Sequence, residues 1–139
     1  KFASIRWYAM VDKRNGTIRP VRKIRENGLS KSFYLSRMIM NAPKGKEVDH
    51  INRDQLDNRK RNLRLCTHAE NSRNRGLQIN NTSGYRGVYW DKRINKWRAQ
   101  IKFQGHTMGL GCFINKEKAA KAYDISAKEK FGSFAILNL

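Results

Sequence analysis

The chain has 139 residues and a formal charge of +19, room for one compact domain or two small ones. A charge that large exceeds what solubility requires and points to a polyanion, with nucleic acid ahead of a membrane surface. A disordered basic tail is excluded because large apolar residues are spread among the basic ones, and no apolar run is long enough to cross a bilayer.

No secretory signal pattern is present, and the chain opens on Lys1 rather than Met, so further N-terminal sequence is expected to precede it. Residues Ile5 to Val11 alternate, with Ile5, Trp7, Ala9 and Val11 on one side, which predicts a half-buried strand. Asn15-Gly16 is a strong turn signal, so a hairpin returns through Thr17 to Ile24. Pro20 cannot donate to a ladder and marks that return as an edge strand. Asn27-Gly28 signals another turn and Lys31 to Leu35 another short strand. Ser36 to Asn41 reads as a short helix stopped by Pro43, with Leu35, Met38 and Ile39 toward the core. This first part is expected to pack against the back of the segment that follows.

That segment, Val48 to Asn74, reads VDHINRDQLDNRKRNLRLCTHAENSRN. It predicts an apolar strand ending in Asp49-His50, a polar turn, a short strand from Leu63 to Cys66, and a helix from His68. Neighbouring side chains of a strand point opposite ways, so a site shared by Asp49 and His50 requires the chain to bend there. Thr67 to Glu70 fits a capping box, Thr67 as N-cap and Glu70 at N3. The box fixes the helix start and puts Asn71 one turn in, on a face with His68, Asn74 and Arg75. A carboxylate from Asp49 and an amide oxygen from Asn71 would leave most of a metal's shell to water and phosphate, which suits Mg²⁺ or Mn²⁺ better than zinc. Arg59, Lys60, Arg61 and Arg64 surround the turn, where contact with a nucleic-acid backbone is the expectation. Cys66 and Cys112 lack partners at metal spacing, which rules out a zinc finger and leaves reduced thiols of an intracellular protein.

The segment resembles an HNH homing endonuclease of the kind carried by phages and mobile introns. The residues of the family's ββα-metal motif match His50, Asn62 and Asn71, and the residue before the first His, a common metal ligand in the family, is Asp49. The resemblance implies His50 as general base, Asp49 and Asn71 on a divalent metal, and Asn62 tying the loop and orienting His50; Asn58 is a second loop-tying candidate. The stretches DNRKRNLRLCT and ENSRN also look like the phage-type branch. Arg75 stands where bacterial toxin members carry a further ligand, which argues against tight zinc binding. His68 is read as a surface residue at the helix start.

Gly76 to Gly84 is the best linker signal. Beyond it, Tyr85 to Trp90, Trp97 to Phe103 and His106 to Phe113 read as three antiparallel strands. Asn115 caps a helix that runs to about Phe131 and stops at Gly132. Ala119, Ala122, Tyr123, Ser126 and Ala127 recur at helical spacing and place that helix against the sheet. On Trp97 to Phe103, Arg98, Gln100 and Lys102 share the open face. Alternating basic and amide side chains there suit major-groove reading, Arg with guanine and Gln with adenine. Residues 84 to 138 resemble the plant ethylene-response-factor (Apetala) DNA-binding domain, through YRGV at 85–88, KWRAQI at 96–101, LGCF at 110–113 and EKAAKAYDISAKEKFG at 117–132. The resemblance implies DNA contacts from Arg86, Tyr89, Trp90, Arg98, Gln100 and Lys102, with Lys92 and Arg93 reaching phosphate from the turn. Gly109 and Tyr89 replace a Trp and an Arg of that family, so its target sequence does not carry over.

The sequence therefore predicts an α+β protein in two parts. Residues 1–75 form a β-rich HNH domain with its ββα core at 47–75. Residues 76–84 link it to a three-stranded antiparallel sheet packed on one helix over 85–139. The expected function is a metal-dependent, site-specific DNA endonuclease of homing type, acting on double-stranded DNA. With no heptad or large apolar stripe in the sequence, a monomer that nicks is expected. The alternative is a non-cutting DNA-binding regulator with a degenerate HNH unit. RNA binding is disfavoured for want of an exposed aromatic platform.

Overall fold

Period-two patterning and tight turns build the first sheet. In the computed structural model, residues 6–13 and 16–139 are described; Ile5 and Asn15, which the sequence reading used, lie outside them. Strands β1 (Tyr8–Val11), β2 (Ile18–Glu26) and β3 (Leu29–Tyr34) run antiparallel in the order β1-β2-β3. Asp12 N donates to Thr17 O and Gly16 N to Asp12 O, both at 2.8 Å, closing the first hairpin. Asn27 and Gly28 both take positive φ, 49° and 78°, as a two-residue hairpin turn with right-handed strand twist requires.

β2 is the central strand, not the edge that Pro20 suggests. The reason lies in the offset of its neighbours. β1 pairs with Ile18 to Val21 and β3 with Val21 to Glu26, so only Val21 is flanked on both sides. Pro20 opposes Ala9 and has no β3 partner, so its missing N–H faces an open edge. Val21, at the crossing, is almost fully buried.

The short helix α1 (Leu35–Ile39) follows β3 directly and packs on β2, β3 and the next strand, β4 (Glu47–His50). Arg37 on α1 donates to Lys46 O at 2.6 Å and to Ala42 O and Pro43 O at 3.1 Å each. One guanidinium thus fixes the loop that delivers β4. β4 pairs antiparallel with β5 (Leu63–Cys66), with Asp49 opposite Arg64 and His50 opposite Leu63, and α2 (His68–Arg73) packs on both.

Contacts cluster the chain into two units that meet at Asn74 and Arg75. The second has strands β6 (Val88–Asp91), β7 (Lys96–Phe103) and β8 (His106–Phe113) in one antiparallel sheet, with helix α3 (Lys116–Phe131) packed on it. Val88, Ala99, Ile101, Ala119, Ala120, Tyr123 and Ala127 form its core. Small residues on α3 let the helix approach the sheet closely. Gly87 is needed for the same reason, because a Cβ there would lie 2.4 Å from Gln100 O and from the Tyr123 ring. Asn115 Oδ1 accepts from Glu117 N and Lys118 N, capping α3. Asp124, buried on α3, accepts from the N–H groups of Asn138 and Leu139 and holds the end of the chain.

The segment read as a linker is partly built into this second unit. Asn81 Nδ2 donates to Tyr85 O, and the buried Ser83 hydroxyl donates to Val88 O at 2.7 Å. No helix among the described residues is long and apolar enough to cross a membrane. The fold is of the α+β class, with small antiparallel sheets and few helices.

Candidate active site

The site is assembled by one local device and two rungs between strand and helix. The capping box is complete: Glu70 N donates to Thr67 Oγ1, and Thr67 N donates to Glu70 Oε2 at 2.7 Å. This fixes where α2 begins and so which of its side chains face β4. The two hydrogen bonds from Thr67 hold the Glu70 carboxyl below its usual range. Two rungs then join strand to helix. Asn71 Nδ2 donates to Glu47 Oε2 at 2.5 Å, and Asn74 Nδ2 donates to Asp49 Oδ1 at 2.8 Å. Glu47 and Asp49 share a strand face, and Asn71 and Asn74 are one helical turn apart. Asp49 and Asn71, the pair read from the sequence as metal ligands, therefore stand on adjacent rungs.

Both rungs have consequences for a cation. Asn71 spends its amide nitrogen on Glu47, which leaves the carbonyl oxygen as the end a metal could use. Glu47 also meets His68 Nδ1 at 2.7 Å; the Asn71 amide first, then the His68 ring, hold its carboxyl below its usual value. His68, read as a surface residue, is exposed but tethered in this way. Asp49 is 4% exposed. Its Oδ1 accepts from Asn74, and its Oδ2 accepts from Arg64 Nε at 2.8 Å and Nη2 at 2.7 Å. Among the described residues no three His, Cys, Asp or Glu side chains converge. The oxygens on the two rungs, the Glu47 and Asp49 carboxylates and the Asn71 amide, are hard donors. They fit a divalent ion such as Mg²⁺ that keeps most of its shell for water and phosphate.

His50 is 3% exposed. Its Nε2 lies 3.3 Å from Asn58 Oδ1. Asn58 Nδ2 donates to Gln55 O and Leu56 O, both at 3.1 Å, so the amide is oriented with its oxygen toward the ring. The oxygen can only accept, so Nε2 is the ring nitrogen that donates to it, and in the neutral ring the lone pair is on Nδ1. Nδ1 is buried and has no hydrogen-bond partner. An unpaired buried nitrogen costs about 1–3 kcal/mol, which the packing around the ring offsets.

Asn62 does a different job. Its Oδ1 accepts from Asn52 N at 3.0 Å, and its Nδ2 donates to Asn52 Oδ1 and Asp57 O, both at 2.8 Å. It closes the loop between β4 and β5 without a hydrogen bond to the His50 ring. Asn58 makes the contact with the ring. No sequence signal separated the two, because both are asparagines in one polar loop.

Of the basic residues read as DNA contacts near the site, Arg64 is held on Asp49. Arg59 forks onto Asp57 at 2.7 and 2.6 Å, keeping that carboxyl well below its usual range, and Arg61 is exposed. In the second unit, Arg98, Gln100 and Lys102 share the face of β7 away from α3. Arg98 opposes Tyr89 and Cys112 and lies 3.5 Å from Asp91, and Tyr89 stands on the same face. Trp90 opposes Trp97 and meets it edge-to-face at 5.2 Å, which puts it on the helix side. Lys92 and Arg93 sit exposed in the β6–β7 turn, with Arg93 against Asp91. Arg86 bonds Arg75 O at 2.5 Å.

Residues 41–73 match the family model described as HNH endonuclease. That segment is similar to an HNH endonuclease domain. It contains Glu47, Asp49, His50, Asn58, Asn62, Arg64 and Asn71, and Asn74 lies just beyond it. The chain is 35% identical over 91 residues to an uncharacterized HNH endonuclease of Acanthamoeba polyphaga mimivirus, covering 66% of this chain and 46% of that protein. It is 40% identical over 63 residues to Protein 3.8 of Escherichia phage T7, covering 45% of this chain and 52% of that one. The chain thus spans about half the length of the curated relatives it matches. Sequence reading missed two features of this polar network, Glu47 and the Asp49–Arg64 pairing. The period-two rule would have put Glu47 on the Asp49 face.

Proposed function

We propose that the protein is a site-specific, metal-dependent DNA endonuclease of homing type. The observation that carries the reading is the buried His50 ring, which Asn58 holds by Nε2 while Nδ1 makes no hydrogen bond. In the reaction, His50 Nδ1 takes a proton from water as the water oxygen bonds to phosphorus in line with the leaving group. The P–O3′ bond breaks, leaving a 5′-phosphate and a 3′-hydroxyl whose proton comes from solvent. Asp49 and Asn71 would hold Mg²⁺ or Mn²⁺. When bound, the ion supplies charge stabilisation to the phosphate and the leaving oxygen. Asn58 positions the base, and Asn62 keeps the loop closed around it. One such site per chain supports nicking by a monomer.

Specificity is assigned to the second unit, a proposed Apetala-like module. The open face carrying Arg98, Gln100 and Lys102 is narrow enough for the major groove of double-stranded DNA. Tyr89 shares that face; Arg86, Lys92 and Arg93 are assigned to the backbone around it, and Arg59 and Arg61 to backbone near the cut. The +19 charge supports an interaction that weakens steeply with salt. Phage and viral relatives support an origin in a mobile element. The test is cleavage of a randomised duplex library with Mg²⁺, followed by sequencing of the ends. A recurring site, blurred by Arg98→Ala and Gln100→Ala, is expected. Cuts spread without preference would reject site specificity, and intact duplex would reject cleavage.

A further inference from the structure

We propose that Arg64 is the resident counter-ion of Asp49, and that a divalent metal must displace it to load. The inference rests on the reading of Asp49 as a metal ligand. Three observations carry it. Asp49 is 4% exposed, so its charge is shielded from water and needs a countercharge close by. Arg64 supplies one from the directly opposite position of the β4–β5 ladder, with its side chain itself only 17% exposed. Both Nε and Nη2 converge on Oδ2, at 2.8 and 2.7 Å.

A carboxylate offers four lone-pair positions. Arg64 takes the two on Oδ2 and Asn74 takes one on Oδ1. Both oxygens are thus already engaged, and an ion on either would sit beside a guanidinium, which keeps its charge. Metal and Arg64 therefore compete, and loading turns Arg64 out toward solvent or phosphate. The metal-free fold is held together by the side chain that opposes the metal. Once released, that side chain is a cation beside the phosphate to be cut. Removing the guanidinium should raise metal affinity and lower the stability of the metal-free protein.

The experiment is calorimetric titration of the full chain with Mn²⁺, alongside thermal unfolding with and without the ion. It compares wild type, Arg64→Gln, Arg64→Lys and Asp49→Asn. Expected are roughly ten-fold or tighter Mn²⁺ binding in Arg64→Gln, an intermediate gain in Arg64→Lys, and loss of binding in Asp49→Asn. Unfolding without metal should come at lower temperature in Arg64→Gln, with a larger rise on adding Mn²⁺ than in wild type. If Arg64→Gln does not fold, Arg64→Lys carries the comparison, since it keeps the charge but not the double contact. Equal or weaker Mn²⁺ binding in the Arg64 variants, with binding present in wild type and lost in Asp49→Asn, would overturn the competition while leaving Asp49 as a ligand. Binding unaffected by Asp49→Asn, or absent from every variant, would overturn the metal reading itself.

Discussion

Replacing Asn58 by Ala removes the acceptor that holds the His50 ring by Nε2. The bond is long at 3.3 Å, so its net worth alone is modest, about 0.5–1.5 kcal/mol. The ring is almost fully buried, however, and water does not take over the lost role freely. An unpaired buried N–H costs about 1–3 kcal/mol. The ring relieves that cost by turning toward a new partner, which withdraws the lone pair from the attacking water. The cleavage rate should therefore fall by about 5- to 150-fold. Losing the base altogether in His50→Ala should cost about 10²–10⁴-fold. The assay is single-turnover cleavage at saturating Mg²⁺, with melting curves recorded in parallel. Asn58→Ala should be slow but folded, and His50→Ala/Asn58→Ala should be no slower than His50→Ala. A rate for Asn58→Ala within two-fold of wild type, or independent effects in the double variant, would refute the assignment of the His50 proton.

Asn62→Ala should act mainly on stability. Three hydrogen bonds at 2.8–3.0 Å close the loop through it, so a loss of about 2–4 kcal/mol is expected, read as a fall in the unfolding midpoint. The two cysteines should differ in reactivity. Burial first, then the nearby Asp49 and Glu47 carboxylates, push the Cys66 thiol up to about 11, whereas Cys112 is exposed. A thiol reagent at pH 8 should label one cysteine quickly and the other only on unfolding, with peptide mapping placing the first at Cys112. Acid should destabilise the fold. Glu47, Asp57, Glu70 and Asp91 are all held below their usual values. Groups with depressed values contribute stability that is complete above about pH 5 and is lost as pH falls below 4 through their folded values. Melting temperatures from pH 7 to 3 should be flat and then fall, and a rise on acidification would contradict those pairings.

Features fixed by neighbours in sequence were legible before the structure. The Thr67–Glu70 box, the Asn27-Gly28 turn and the alternation on β7 each depend on a few adjacent residues, and each shows the expected geometry. The β2 edge assignment failed because an edge is a property of neighbours, and β1 and β3 cover different halves of the strand. The pairing of Asp49 with Arg64 and Asn74 depends on strand register and helix docking across 15 and 25 residues. Sequence alone could name Asp49, Arg64, Asn71 and Asn74, but not who holds whom. Asn58 and Asn62 show the same limit at short range. Which of them meets His50 is decided by backbone carbonyls at Gln55, Leu56 and Asp57 that orient the two amides.

The most direct test of the central claim is a supercoiled-plasmid assay carrying the target site, run with Mg²⁺, with EDTA, and with His50→Ala. The account predicts open circles that require the ion and vanish with His50→Ala. Plasmid that stays supercoiled under all three conditions, while gel shifts show the protein bound, would contradict it and leave a DNA-binding regulator in its place.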